Sequence, residues 1–160
     1  MSRPGRVPRP LAVCAVLVAT TAALAGCGSD DGGSSAGRPA LKVTGAYMPA
    51  PSMATMAAGF FTVSNTGGAD TLTSVTSSLS ADVTLHSTQG GAMEEEKSFA
   101  VPAKGTLNFA SGGNHLMFEK LTRKPEQGES VAVELHFAKS GTVKISMPVK
   151  SATYTPKTGH

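Results

Sequence analysis

The chain has 160 residues, of which 40% are hydrophobic and 16% are charged, and its formal net charge is +3 at pH 7. This length allows one small domain with one hydrophobic core. Three arginines lie in the first nine residues, and without residues 1–26 the chain carries 11 basic and 11 acidic side chains. That balance excludes an electrostatic case for binding nucleic acid.

The first 26 residues have the pattern of a secretory signal peptide. Arg3, Arg6 and Arg9 precede an apolar run over 11–25, which is too short to span a bilayer as a mature helix. The run ends in Leu24-Ala25-Gly26-Cys27, which resembles the bacterial lipobox, where the cysteine receives a diacylglycerol group and becomes the mature N-terminus after cleavage. We therefore expect an extracytoplasmic protein that is anchored to the membrane through Cys27. An ordinary secreted protein with an unpaired Cys27 is the alternative.

The cysteines and the following segment set the domain boundaries. The chain has two cysteines; Cys14 would leave with the signal peptide and Cys27 would be lipidated. No disulfide and no free thiolate would then remain for catalysis or metal binding. Residues 27–40 are predicted to be the lipidated cysteine and a flexible tether rich in Gly and Ser. The domain is expected over 41–155, and residues 156–160 form a tail.

The domain has the pattern of an all-β protein. Short alternating segments separated by turn signals predict about eight or nine antiparallel strands and hence a two-sheet sandwich. The predicted strands are 41–47, 57–65, 71–77, 82–87, 97–101, 106–110, 115–121, 130–138 and 142–150. The last two alternate apolar and polar residues and are predicted to form a hairpin.

The most informative motif is His115-Leu116-Met117-Phe118. Residues two apart on a strand share a face, so Leu116 and Phe118 are predicted to face the core, with His115 and Met117 on the opposite side. A lone His-x-Met on a strand has an ordinary structural explanation as well.

Two more residues could join this pair. Met93 follows Gly90-Gly91 and precedes three glutamates, where it is expected to be exposed; an incidental surface methionine is the alternative. His86 is predicted to lie on the face of its strand opposite Leu85; taken alone, such a histidine is more often a surface residue bonded to a neighbour.

Together, His86, Met93, His115 and Met117 supply two imidazoles and two thioethers. Thioethers select Cu(I), whereas Zn(II) and Fe(II) prefer sets of Cys, His and carboxylate, and a blue-copper site needs a cysteine. Thioethers also persist where thiols are oxidised. The sequence thus predicts one Cu(I) per chain.

The same residues carry a resemblance to the PCu(A)C family of extracytoplasmic copper chaperones, in which 21 residues separate a Met from His-x-Met. Met93 and His115 have 21 residues between them, and the strands around Phe60 and around Asp82 are also similar. The resemblance covers most of 41–150. It departs from the family in the shorter spacing from His86 to Met93 and in Tyr47, where many relatives have Trp.

The resemblance implies a cupredoxin-like Greek-key sandwich that delivers Cu(I) to the copper-site subunit of cytochrome c oxidase, often alongside a Sco-type protein. Copper sequestration or resistance, and a structural lipoprotein without metal, remain the alternatives. No nucleophile motif is present, and an enzyme is not expected.

The sequence does not assign a role in the copper site to several other Met and His residues. Met48, Met53 and Met56 are expected in one loop and could form a secondary copper site, a soft docking surface or loop packing. Met147 is expected in the core, His136 on a solvated strand face, and His160 in the polar tail.

Overall fold

The computed structural model of the protein describes residues 37–157. The predicted signal peptide at 1–26, the predicted lipidation site Cys27, most of the predicted tether and His160 lie outside the described residues. Within 37–157, no helix has the length and apolarity needed to cross a bilayer.

The described residues form ten strands. All nine predicted strands are present, with small differences at their ends. The strands are β1 Leu41–Pro49, β2 Met56–Asn65, β3 Asp70–Ser77, β4 Ser80–Gln89, β5 Ala92–Glu96, β6 Phe99–Val101, β7 Thr106–Phe109, β8 His115–Leu121, β9 Ser130–Phe137 and β10 Gly141–Lys150.

The strands form one continuous hydrogen-bonded sheet that curls around a core. Their order is β5-β4-β8-β2-β1-β10-β9-β3-β6, with β7 also paired to β2. A single pair, Ser77 with Ser80, joins β3 back to β4. Nearly all neighbours are antiparallel; β1 and β10 are parallel over two residue pairs. The predicted β9–β10 hairpin is confirmed over eight residue pairs.

The core contains the apolar face of each long strand. Leu116 and Phe118 on β8 are fully buried in it, as predicted, and so is Met147 on β10. Val131, Val133, Leu135 and Phe137 form the buried face of β9. Because alternate residues of a strand point to opposite faces, the burial of Leu116 and Phe118 fixes the outer face of β8 as the one that carries His115 and Met117.

Two sequence-based expectations need correction. The segment around Met93, where no strand was predicted, is the strand β5: it pairs with β4 through a hairpin whose turn residues Gly90 and Gly91 both have positive φ, 59° and 84°. Two-residue turns of this kind match the twist of paired strands. Two of the three methionines predicted in one loop are in strands: β1 continues to Pro49 and buries Met48 completely in the core, and Met56 is the first residue of β2, so that Met53 alone lies in the loop.

Candidate metal centre

His86 and His115 lie side by side on the outer face of the sheet. They are direct cross-strand partners in the β4–β8 pair, and their rings are stacked with centroids 5.4 Å apart and 22° between the planes. His115 is buried, with 6% of its surface exposed, although its strand neighbours Leu116 and Phe118 face the core. The two rings therefore form a compact pair in which His115 is buried and His86 is half-buried.

Each ring is anchored by one nitrogen and leaves the other unpaired. Of the buried side-chain nitrogen and oxygen atoms in residues 37–157, two have no hydrogen-bond partner, namely Nδ1 of His86 and Nε2 of His115. Nδ1 of His115 lies 3.0 Å from the carbonyl oxygen of Gly113, and Nε2 of His86 lies 2.9 Å from Oγ1 of Thr84. Buried polar atoms are normally paired, so two unpaired nitrogens on stacked rings indicate a site for a ligand.

The anchoring bonds fix which nitrogen is free to bind a metal. A carbonyl oxygen accepts hydrogen bonds only, so His115 donates through Nδ1–H and its neutral ring carries a lone pair on Nε2. With its proton on Nε2, His86 donates to Thr84 and carries a lone pair on Nδ1. Histidines that bind metals commonly hold their other nitrogen to a backbone carbonyl or another polar partner in this way. The donor set at the pair thus fits a metal ion.

Met93 and Met117 share this face, and each lies diagonally across from His86. His86 is opposite Glu95 on β5, two residues from Met93, and opposite His115 on β8, two residues from Met117. Diagonal neighbours on paired strands have Cα atoms about 7–8 Å apart, which long side chains can bridge. Met117 is half-buried, whereas Met93 is 62% exposed. His86 therefore occupies the central strand between the two thioethers.

The short spacing between His86 and Met93 has a simple structural basis. β4 and β5 are joined by a two-residue turn, so the connection is as short as a hairpin permits. The short turn does not move His86 out of the site, because the register of β4 with β8 places His86 opposite His115.

The two residues that hold the rings were not predicted to be part of the site. Thr84 and Gly113 contact His86 and His115 as described above, and Thr84 could have been found because it lies two residues before His86 on the same face.

His136 is elsewhere, on β9, where its ring nitrogens bond Thr76 and Thr142. No group of three or more His, Cys, Asp or Glu side chains that could hold a metal forms within 37–157.

Comparison with known proteins identifies the family. Residues 41–149 match the family described as "Putative lipoprotein LpqE-like". The chain belongs to this LpqE-like family. Over 101 residues it is 40% identical to "Putative lipoprotein Lxx21020" of Leifsonia xyli subsp. xyli (strain CTCB07); the match covers 59% of this chain and 61% of that relative.

Solved structures with the same fold bind copper. The copper-bound PCuAC domain from PmoF2 has a TM-score of 0.62 and 24% identity, over 72% of this chain and 95% of that domain. The solution structure of CuI-DR1885 from Deinococcus radiodurans has a TM-score of 0.59 and 24% identity, over 77% of this chain and 85% of that chain. These similarities confirm the cupredoxin-like, PCu(A)C-type fold of the LpqE-like chain.

Proposed function

We propose that the protein is an extracytoplasmic, lipid-anchored metallochaperone that carries one Cu(I) on His86, Met93, His115 and Met117. The observation that carries this proposal is the stacked histidine pair, in which each ring is anchored through one nitrogen and has the other buried without a partner. The protein acts by binding and release and not as an enzyme.

The chemistry of the surrounding donors supports Cu(I) as the cargo. Both methionines lie on the same sheet face as the histidine pair, and thioether sulfur favours Cu(I) over harder cations. The copper-bound PmoF2 domain and CuI-DR1885 have the same fold. Thioethers also survive in an oxidising compartment, where free thiols do not.

The uneven burial of the four side chains favours delivery over storage. His115 is buried and Met93 is 62% exposed, so an acceptor could replace the Met93 sulfur first and the histidines last. Stepwise replacement avoids the release of free copper. We propose the copper-site subunit of cytochrome c oxidase as the acceptor, with a Sco-type protein as a partner and Cys27 as the membrane anchor.

Cu(I) transfer tests delivery directly. The purified protein is loaded with one Cu(I) under anaerobic conditions and mixed with the soluble copper domain of the oxidase or with a Sco-type protein, and copper on each partner is measured after separation. We expect transfer to at least one of them. Copper that stays on this protein with both acceptors would indicate sequestration instead.

The anchor has a separate test. Cys27→Ser removes the thiol that would be lipidated, so the parent should incorporate a labelled fatty acid in cells and the variant should not. Equal labelling of both proteins, or of neither, would rule out Cys27 as the lipid anchor without affecting the copper proposal.

A further inference from the structure

Met53, Met56 and Met117 line one open hollow next to β8, the strand that also carries His115. The hollow has a volume of about 230 Å³, and its other walls come from 49–52 and from Ala57 and Ala58. Met53 is 52% exposed and Met56 is 37% exposed. Neither side chain is therefore needed to fill the core.

The register of β2 and β8 brings two of these thioethers together. Ala58 is opposite Met117 and Met56 is opposite Glu119, so Met56 and Met117 are diagonal neighbours on the same face. Met53 reaches the hollow from the loop between β1 and β2. That loop follows Pro49, the last residue of β1, and contains Pro51, and the fixed φ angles of the two prolines restrict its conformations.

We propose that Met53, Met56 and Met117 form a second, weaker site for a soft monovalent ion such as Cu(I). Three thioethers around one hollow are donors of the type that Cu(I) selects. Because this site contains no imidazole, we expect it to fill after the His86 and His115 site. It shares Met117 with that site, so the second ion would lie next to the first.

Ag(I) titration of the purified protein labelled with [methyl-¹³C]methionine tests the site, because Ag(I) is a soft monovalent ion that does not change oxidation state. We expect the first equivalent to shift the Met93 and Met117 methyl signals. A second, saturable equivalent should shift Met53, Met56 and Met117. The buried Met147 methyl should not move and serves as the internal control.

Two variants separate this proposal from the proposed function. The double variant Met53→Leu/Met56→Leu keeps two exposed apolar side chains of similar size, and it should lose the second equivalent and keep the first. The double variant His86→Ala/His115→Ala should lose the first equivalent and still show saturable shifts of Met53 and Met56. Shifts of Met53 and Met56 that are absent, that never saturate or that complete with the first equivalent would overturn the second site.

Discussion

The imidazoles of His86 and His115 lower the stability of the metal-free protein, because each leaves a buried nitrogen without a hydrogen-bond partner. A buried polar group without a partner costs about 1–3 kcal/mol. Binding of an ion to both nitrogens would remove that cost. At the scale of single residues, the site is therefore expected to trade metal-free stability for affinity, as functional sites often do.

His86→Leu tests this trade. The apolar side chain removes the unpaired Nδ1, and the half-buried Thr84 hydroxyl can turn to water, so the metal-free variant should be as stable as the parent or more stable by about 1–2 kcal/mol. Cu(I) should raise its melting temperature by less than it raises that of the parent. Thermal and denaturant unfolding with and without Cu(I) measure both effects. A large loss of metal-free stability would mean that His86 is kept for packing.

Met117→Leu separates the sulfur from the packing. The replacement conserves volume and apolarity, so it should reduce the free energy of unfolding by less than about 1.5 kcal/mol. Cu(I) affinity, measured by competition with a chelator, should fall clearly. An affinity equal to that of the parent would remove Met117 from the ligand set.

At the scale of elements, Asn65 at the end of β2 ties three segments together. Its Oδ1 accepts from the backbone N–H groups of Ala40 and Gly67, and its Nδ2 donates to the carbonyls of Gly68 and Pro102. The side chain is 3% exposed, so water cannot easily replace these four bonds.

Asn65→Ala should therefore lower the free energy of unfolding by about 2–3 kcal/mol, because it leaves several backbone N–H and C=O groups without a hydrogen-bond partner. The surface residue Asn108 offers a matched control, since Asn108→Ala removes an exposed bond to Thr62 and should cost under about 0.5 kcal/mol. Urea unfolding of the three proteins gives the comparison. Equal midpoints for all three would refute the role assigned to Asn65.

Asp70 joins the start of β3 to the turn between β9 and β10. Protonation of its carboxylate is expected to lower the stability of the fold in acid. Burial alone would raise the pKa of Asp70, but hydrogen bonds from the Ser140 hydroxyl and from the backbone N–H groups of Lys139, Thr71 and Ser140 outweigh it and hold the pKa below its usual value. A lowered pKa means that the folded state favours the carboxylate. This stabilisation is present above the ordinary carboxyl pKa of about 3.9 and is lost as the pH falls through the folded-state pKa.

Asp70→Asn removes this titration. The variant should be less stable than the parent at neutral pH, and its free energy of unfolding should fall less steeply as the pH drops below about 4. Denaturant unfolding over that range, with the parent beside it, measures the two slopes. Parallel slopes would contradict the role of the Asp70 carboxylate.

The strands show how far sequence alone could go. The alternation of side chains along a strand predicted that His115 and Met117 lie on the face opposite Leu116 and Phe118, because the two apolar residues had to face the core. The strand β5 was missed because Ala92–Glu96 is polar and mostly exposed, so it has no apolar periodicity. Its one signal was the pair Gly90-Gly91, which allows a two-residue turn.

Strand register and long-range contacts could not be predicted from the sequence. Nothing in the local pattern says that His86 pairs with His115, since pairing of β4 with β8 is a tertiary property. Met48 was misplaced because the prolines after it suggested a loop. In the structure, the register of β1 shifts between Thr44 and Tyr47 around Gly45, whose φ is +63°, and the strand continues past that irregularity.

At the scale of the whole molecule, the candidate ligands lie on three neighbouring strands at one end of the sheet order. β5 is the edge strand there, and it carries Met93 together with Glu94, Glu95 and Glu96. Charges on an exposed edge discourage pairing with other chains. They also make the surface around Met93 acidic, which would favour the approach of a cation or a basic partner.

The central claim is that His86, Met93, His115 and Met117 bind one Cu(I) together. The measurement is competition of the purified protein with a Cu(I) chelator, repeated for His86→Ala, His115→Ala, Met93→Leu and Met117→Leu. His136→Ala is the control, because His136 lies on β9 and is bonded to Thr76 on β3 and Thr142 on β10. We predict one tight equivalent for the parent and for His136→Ala, and weaker binding for each of the other four. Absence of a tight equivalent in the parent, or unchanged affinity after loss of His86 and of His115, would contradict the account.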